Sequence, residues 1–151
     1  MSAILFPEAM CLVEPVSGQV SWGANQLWYG DLWQRKAGCG PSAAASLIFY
    51  QKQKQRLLQR KPLLSSRQCL LDQMMEMWNY IQPGPGGVNR VAQFTEGLEK
   101  YRAAQNLNFE ISALAIAEDP SQRCGWPQVS QFLETALKQD EPVAFLNLCA
   151  G

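Results

Sequence analysis

Cys39 stands in the run Ala37-Gly-Cys-Gly-Pro-Ser-Ala, and its thiol is the side chain of this sequence best suited to nucleophilic chemistry. A thiol attacks as the thiolate, and the positive end of a helix with its unpaired N–H groups stabilises that anion. Gly40 and Pro41 suit the entry to a helix, because proline in the first turn loses no needed N–H and already holds a helical φ. The spacing therefore puts Cys39 just before a helix N-terminus. Its own amide can face the oxyanion of an acyl intermediate there, and a side-chain amide from an upstream loop can supply a second donor. Gln26 and Asn25 are the candidates, with Gln34 a poorer third. A base is missing: Cys–His catalysis needs one within hydrogen-bond reach, and the sequence contains no histidine. Asp31 could accept a proton, but a carboxylate beside a thiolate disfavours it by like-charge repulsion. The plain alternative is that Gly38-Cys-Gly-Pro only turns the backbone while Cys39 fills a small buried slot.

The elements that must position these residues follow from periodicity and breakers. Gly18–Trp33, with Trp22, Asn25, Gln26, Trp28 and Trp33 and little regular period, predicts an ordered loop packed by aromatics. A helix is expected from Pro41 to about Gln55, with Ala44, Leu47 and Ile48 on one face. Leu70, Leu71, Met74, Met75, Trp78 and Ile81 recur at helical spacing up to Pro83. That Met and Trp stripe belongs to a core rather than a cofactor site. Pro83-Gly-Pro-Gly-Gly must be a loop, either a plain connector or the border of a cleft. Val91, Phe94, Leu98 and Tyr101 mark a third helix, and Pro127–Lys138 a fourth. Between them Phe109–Ala117 alternates like a strand, and the apolar run Pro142–Cys149 predicts a buried one. This order predicts one α+β domain over residues 1–151, with helices segregated to the front.

Composition narrows the function classes. The chain has 151 residues, 47% hydrophobic and 17% charged, enough apolar material for one real core. Thirteen basic residues balance thirteen acidic ones, so no global field draws it to nucleic acid or an acidic membrane. Lys52, Lys54, Arg56, Arg60 and Lys61 form a local basic cluster without interleaved aromatics, which predicts a solvated helix end. Apolar runs are too short to span a membrane, and Met1–Val13 lacks the pattern of a secretory signal. Five cysteines without a CxxC pair, and no histidine, suit reduced thiols rather than disulfides or zinc. A cytoplasmic protein without metal or cofactor is expected. Cys69 and Cys149 are expected in the core, and no role is expected for Cys11 or Cys124.

Gly38-Cys-Gly-Pro-Ser-Ala-Ala-Ala, preceded by the Asn/Gln/Trp-rich loop, resembles the nucleophile segment of papain-like cysteine peptidases of the bacteriocin-processing, double-glycine-leader group. The local likeness covers Asn25–Tyr50; beyond it only the layout is similar, ending in Glu141-Pro-Val-Ala-Phe-Leu-Asn-Leu. The resemblance implies a helical layer with an antiparallel sheet, incomplete here. It implies Cys39 as nucleophile, Gln26 as oxyanion donor and a peptide or protein substrate. It also implies a histidine base soon after a strand like Pro142–Leu148, and none is present, so these 151 residues are expected to be inactive alone. A different class remains open: a non-catalytic module that binds a peptide or protein through the Trp-rich loop, with Asn25, Trp22, Trp28 and Trp33 at its surface. An uncovered strand at Pro142–Cys149 would also favour a homodimer or poor solubility.

Overall fold

The computed structural model describes residues 3–14, 16–117 and 119–146. A 3-10 turn at Pro7–Met10 leads into a short antiparallel ribbon, pairing β1 (Cys11–Val13) with β2 (Val20–Trp22) in the register Cys11 to Trp22 and Val13 to Val20. Five helices follow: α1 (Leu32–Ala37), α2 (Cys39–Leu58), α3 (Arg67–Trp78), α4 (Val91–Ala104) and α5 (Trp126–Lys138). The α+β class therefore holds, but its sheet is the ribbon, which short, weakly patterned strands do not announce in sequence.

The expected strands do not form among the described residues. Segment 109–117 is extended but has no ladder partner, and 141–146 takes no regular structure. The remainder of the expected Pro142–Cys149 strand lies outside the described residues. Alternation describes only which side chains share a face, whereas a strand exists through a neighbour's backbone groups, and neither segment has one. Gly18–Trp33 is likewise more ordered than a loop, since it contains β2, a 3-10 turn at Gln26–Trp28 and the first two residues of α1.

Leu70, Met74 and Met77 of α3 pack with Ala44, Ala45, Ile48 and Phe49 of α2 and with Leu98 and Tyr101 of α4 in one continuous apolar cluster. The predicted methionine stripe is thus core, except that Met75 faces outward. Ser66 starts α3 by accepting a hydrogen bond from Cys69 N, satisfying one of the donors a helix start leaves open. Where α4 passes the turn that follows α3 the approach is close: a Cβ on Gly97 would lie 2.3 Å from Ile81 Cγ1 and 2.7 Å from the Tyr80 carbonyl. Only glycine leaves that space free.

The basic cluster after Lys52 is partly structural. Lys52 donates to Gln73 at 2.5 Å and lies over the Tyr101 ring, and Arg56 donates to the Pro62 carbonyl. Lys54 pairs with Asp140 at 2.9 Å. Asp140 is buried directly after α5, in a left-handed backbone conformation of φ 59°. Its Oδ1 accepts from Tyr50 at 2.5 Å and from Leu5 N at 2.6 Å. Gln51 also donates to Glu141. Asp140 thereby ties three remote segments together: the N-terminus, α2 and the turn after α5.

Candidate thiol site at the start of helix α2

α2 begins two residues earlier than Pro41, so Cys39 is its first residue and Gly38 its N-cap. The helix extends further because α1 runs up to Ala37 and only Gly38 separates the two. Pro41 offers no N–H, and Ser42 N already donates to Gly38 O at 3.0 Å. Cys39 and Gly40 therefore carry the first-turn amides that have no acceptor within α2. No acidic residue occupies this first turn.

Both flanking glycines answer to close packing. A Cβ on Gly38 would fall 2.3 Å from Gln34 O and 2.6 Å from the Tyr29 ring, and one on Gly40 would fall 2.4 Å from Val88 Cγ2. Val88 arrives there from the Gly-rich turn, where Gly84 and Gly87 exchange backbone hydrogen bonds of 3.2 and 2.9 Å and Gly87 takes φ +75°. The Pro83–Gly87 loop thus seats a buried valine against the first turn of α2, beside the cysteine. Sequence reasoning missed Val88 and Tyr29; the signal was a cysteine with a glycine on each side, which marks close approach of other atoms. Cys39 itself is exposed, whereas Cys11, Cys69 and Cys124 are half-buried. It does not fill a buried slot.

Tyr29 forms the floor below Gly38. Fully buried, it donates to Met74 O at 3.2 Å and meets Trp78 edge-on with ring centroids 5.6 Å apart. Burial raises its hydroxyl above the usual phenol range. It stays neutral at ordinary pH and offers no base. Arg35 donates from Nε to Tyr29 O at 2.5 Å, fastening α1 to the same floor.

The upstream loop is clamped to α2, as Ala24 N donates to Ser46 Oγ at 2.9 Å and Ser46 passes a hydrogen bond to Ser42 O. The two candidate amides in it have other partners. Asn25 Oδ1 accepts from Leu27 N at 3.0 Å, capping the 3-10 turn, and Gln26 Nε2 donates to Arg35 O at 2.9 Å. Gln26 is thus fixed to α1, the helix that ends next to Cys39. Asp31 is occupied too, its Oδ1 accepting from Trp33 N at 2.8 Å and Gln34 N at 3.0 Å as the N-cap of α1. Trp28 is half-buried under the Arg67 guanidinium, 5.0 Å from its ring, so it packs rather than protrudes. Trp33 and Trp22 are exposed, at 44% and 66%, together with Leu27 and Leu32.

The arrangement has an accessible thiol at a helix start, flanked by two glycines packed against Tyr29 and Val88. It can bring an electrophile to sulfur. No group of three or more potential metal ligands occurs among the described residues, and no helix among them is long and apolar enough to cross a membrane. Comparison with known proteins returns no matching family model, no matching characterised protein and no matching solved structure.

Proposed function

We propose that this chain is the thiol-bearing part of a papain-like cysteine peptidase domain, acting on peptide-type bonds, with Cys39 as nucleophile. The observation that carries this reading is the exposure of Cys39 as the first residue of a 20-residue helix, between two glycines that cannot be enlarged. Gln26 serves as oxyanion donor in this reading, which requires its amide to leave the Arg35 carbonyl when substrate binds. The 151 residues hold no histidine, so turnover is not part of the proposal for the chain alone. What it can perform is capture: the Cys39 sulfur forms a bond to an electrophilic carbon, the leaving group departs, and the thiol proton goes to water. The same reading places the protein in the cytoplasm, with its thiols reduced, and has it self-associate through the run beginning at Pro142.

Iodoacetamide labelling mapped by mass spectrometry tests the nucleophile. Cys39 is expected to be modified first at mildly acidic pH, and faster than the same cysteine in urea-unfolded chain. A rate no greater than in the unfolded chain sinks the nucleophile reading, because exposure alone then explains the labelling.

A second reading, a peptide-binding module without catalysis, is favoured by the exposed Trp22, Leu27, Leu32 and Trp33. Large exposed apolar side chains of this kind anchor interfaces. It predicts that a Cys39→Ser variant keeps every function of the wild-type chain.

A further inference from the structure

Among the described residues, two extended segments lack backbone partners. Across 110–116 no main-chain hydrogen bond forms among the described residues, and the same holds for 142–146. Segment 109–117 is not loose: Phe109 and Ile111 pack on the core, and Arg102 and Arg123 hold the carbonyls of Phe109 and Ala117 at 3.4 and 3.1 Å. It is an anchored, extended segment whose backbone groups are open to a partner. Beside it runs an open groove of about 560 Å3, walled by Thr95, Glu96, Glu99 and Lys100 of α4 and by Ile111 and Ala113. A groove between a helix and an open strand edge is the shape that receives an added strand, main-chain hydrogen bonds supplying affinity and alternate side chains filling the groove.

The chain carries a segment suited to it. In Pro142–Leu146, Val143 and Phe145 are exposed, Phe145 at 81%, and two residues apart in extended backbone they share one face. The segment is uncharged, so the mixed rim of Glu96 and Lys100 does not repel it, and Glu99 is already paired with Arg102 at 2.7 Å. We infer that a second copy of this chain lays its Pro142–Leu146 run along the 109–117 edge, with Phe145 in the groove against α4. Each copy offers one donor and one acceptor, so reciprocal exchange about a two-fold axis satisfies both and closes as a dimer. The inference rests on the self-association proposed above and adds its acceptor surface.

Size exclusion with light scattering at tens of micromolar gives the first outcome. A dimer is expected, and Phe145→Lys is expected to weaken it by about tenfold or more. A monomer overturns the self-association itself, as does a monomer whose 110–116 amides resist hydrogen exchange, which would place the chain's own run on that edge. Growth beyond dimers overturns the reciprocal exchange. Proline at Ser112 and at Ala113 then tests the acceptor alone. Successive N–H groups of a strand point to opposite edges, so one of the two substitutions removes a ladder donor and the other does not. Extended backbone tolerates proline, and both positions are exposed, so folding is retained. One variant is expected to dissociate about tenfold more readily than the other. A dimer sensitive to Phe145→Lys but equal in both proline variants overturns the 109–117 acceptor and leaves self-association standing. Ala113→Arg, which fills the groove without touching the ladder, is expected to weaken the dimer as well.

Discussion

The body formed by α2, α3 and α4 differs from the part of the chain after Asn106 in how its apolar surface is used. In the body, Leu70, Met74, Met77 and Tyr101 are buried, and Gly40 and Gly97 bring backbone against Val88 and Ile81. After Asn106, α5 is as plainly amphipathic, with Val129, Phe132, Leu133, Ala136 and Leu137 on one face, yet none of its residues is buried. The difference teaches that an apolar stripe states a requirement for a partner layer without supplying one. The body's stripes face one another, whereas no side chain of the α5 stripe joins that apolar cluster among the described residues. Just after α5, Asp140 and Glu141 hold the chain to the body through polar contacts with Tyr50, Gln51 and Lys54.

The comparison breaks if the two regions respond alike to truncation. Met74→Ala is expected to cost about 3 kcal/mol in urea unfolding, the range for a fully buried Met truncated to Ala, while Phe132→Ala costs below about 1 kcal/mol. Equal losses would show that α5 belongs to the same core.

Asp140→Asn comes next, at about 2 kcal/mol near neutral pH, below the usual figure for a broken buried ion pair because Lys54 keeps some contact with water. Asparagine retains the tolerance for left-handed backbone, so the loss isolates the charge. Burial by itself opposes ionisation of Asp140, but the hydrogen bonds from Tyr50 and Leu5 N and the Lys54 ammonium outweigh it and lower its pKa. A carboxylate depressed on folding contributes stability above its unfolded value of about 3.9, and the contribution disappears as pH falls through the folded value. Wild type and Asp140→Asn should therefore differ at pH 7 and converge in strong acid. A constant gap across pH would show that the charge is not what holds the latch.

Gly97→Ala sharpens the picture of the body with a smaller effect. The added methyl meets the Tyr80 backbone, which cannot rotate away, and Ile81; against this, alanine gains about 1 kcal/mol in helix propensity. A net loss of about 1 to 2 kcal/mol in urea unfolding is expected. A stabilised variant would show that α4 rides further from residues 80–81.

Much of the helical layer is legible from local pattern. The expected helices around Leu70–Ile81, Val91–Tyr101 and Pro127–Lys138 fall on Arg67–Trp78, Val91–Ala104 and Trp126–Lys138, because a 3.6-residue stripe bounded by breakers needs no remote information. Of the candidate site, the helix start at Cys39 is legible in the same way, since proline and glycine act within a few residues. The partners of Gln26, Asn25 and Asp31 are not, because a side-chain amide or carboxylate goes to whichever backbone group lies nearest once α1 has formed. Trp22, Trp28 and Trp33 look equivalent in sequence; Arg67, from the start of α3, covers Trp28 alone of the three.

Residue type and spacing were sufficient for the helices, for a helix start close to Cys39 and for the lack of a histidine base. Tertiary structure alone decided that Cys39 is exposed, that Val88 and Tyr29 wall its helix start, that Asp140 joins Leu5 to α2 across the length of the chain, and that 109–117 is extended and has no ladder partner among the described residues. The physical reason is range: helical hydrogen bonds close within four residues, so sequence encodes them locally, whereas burial, ion pairs and strand ladders depend on groups that only the folded chain brings together.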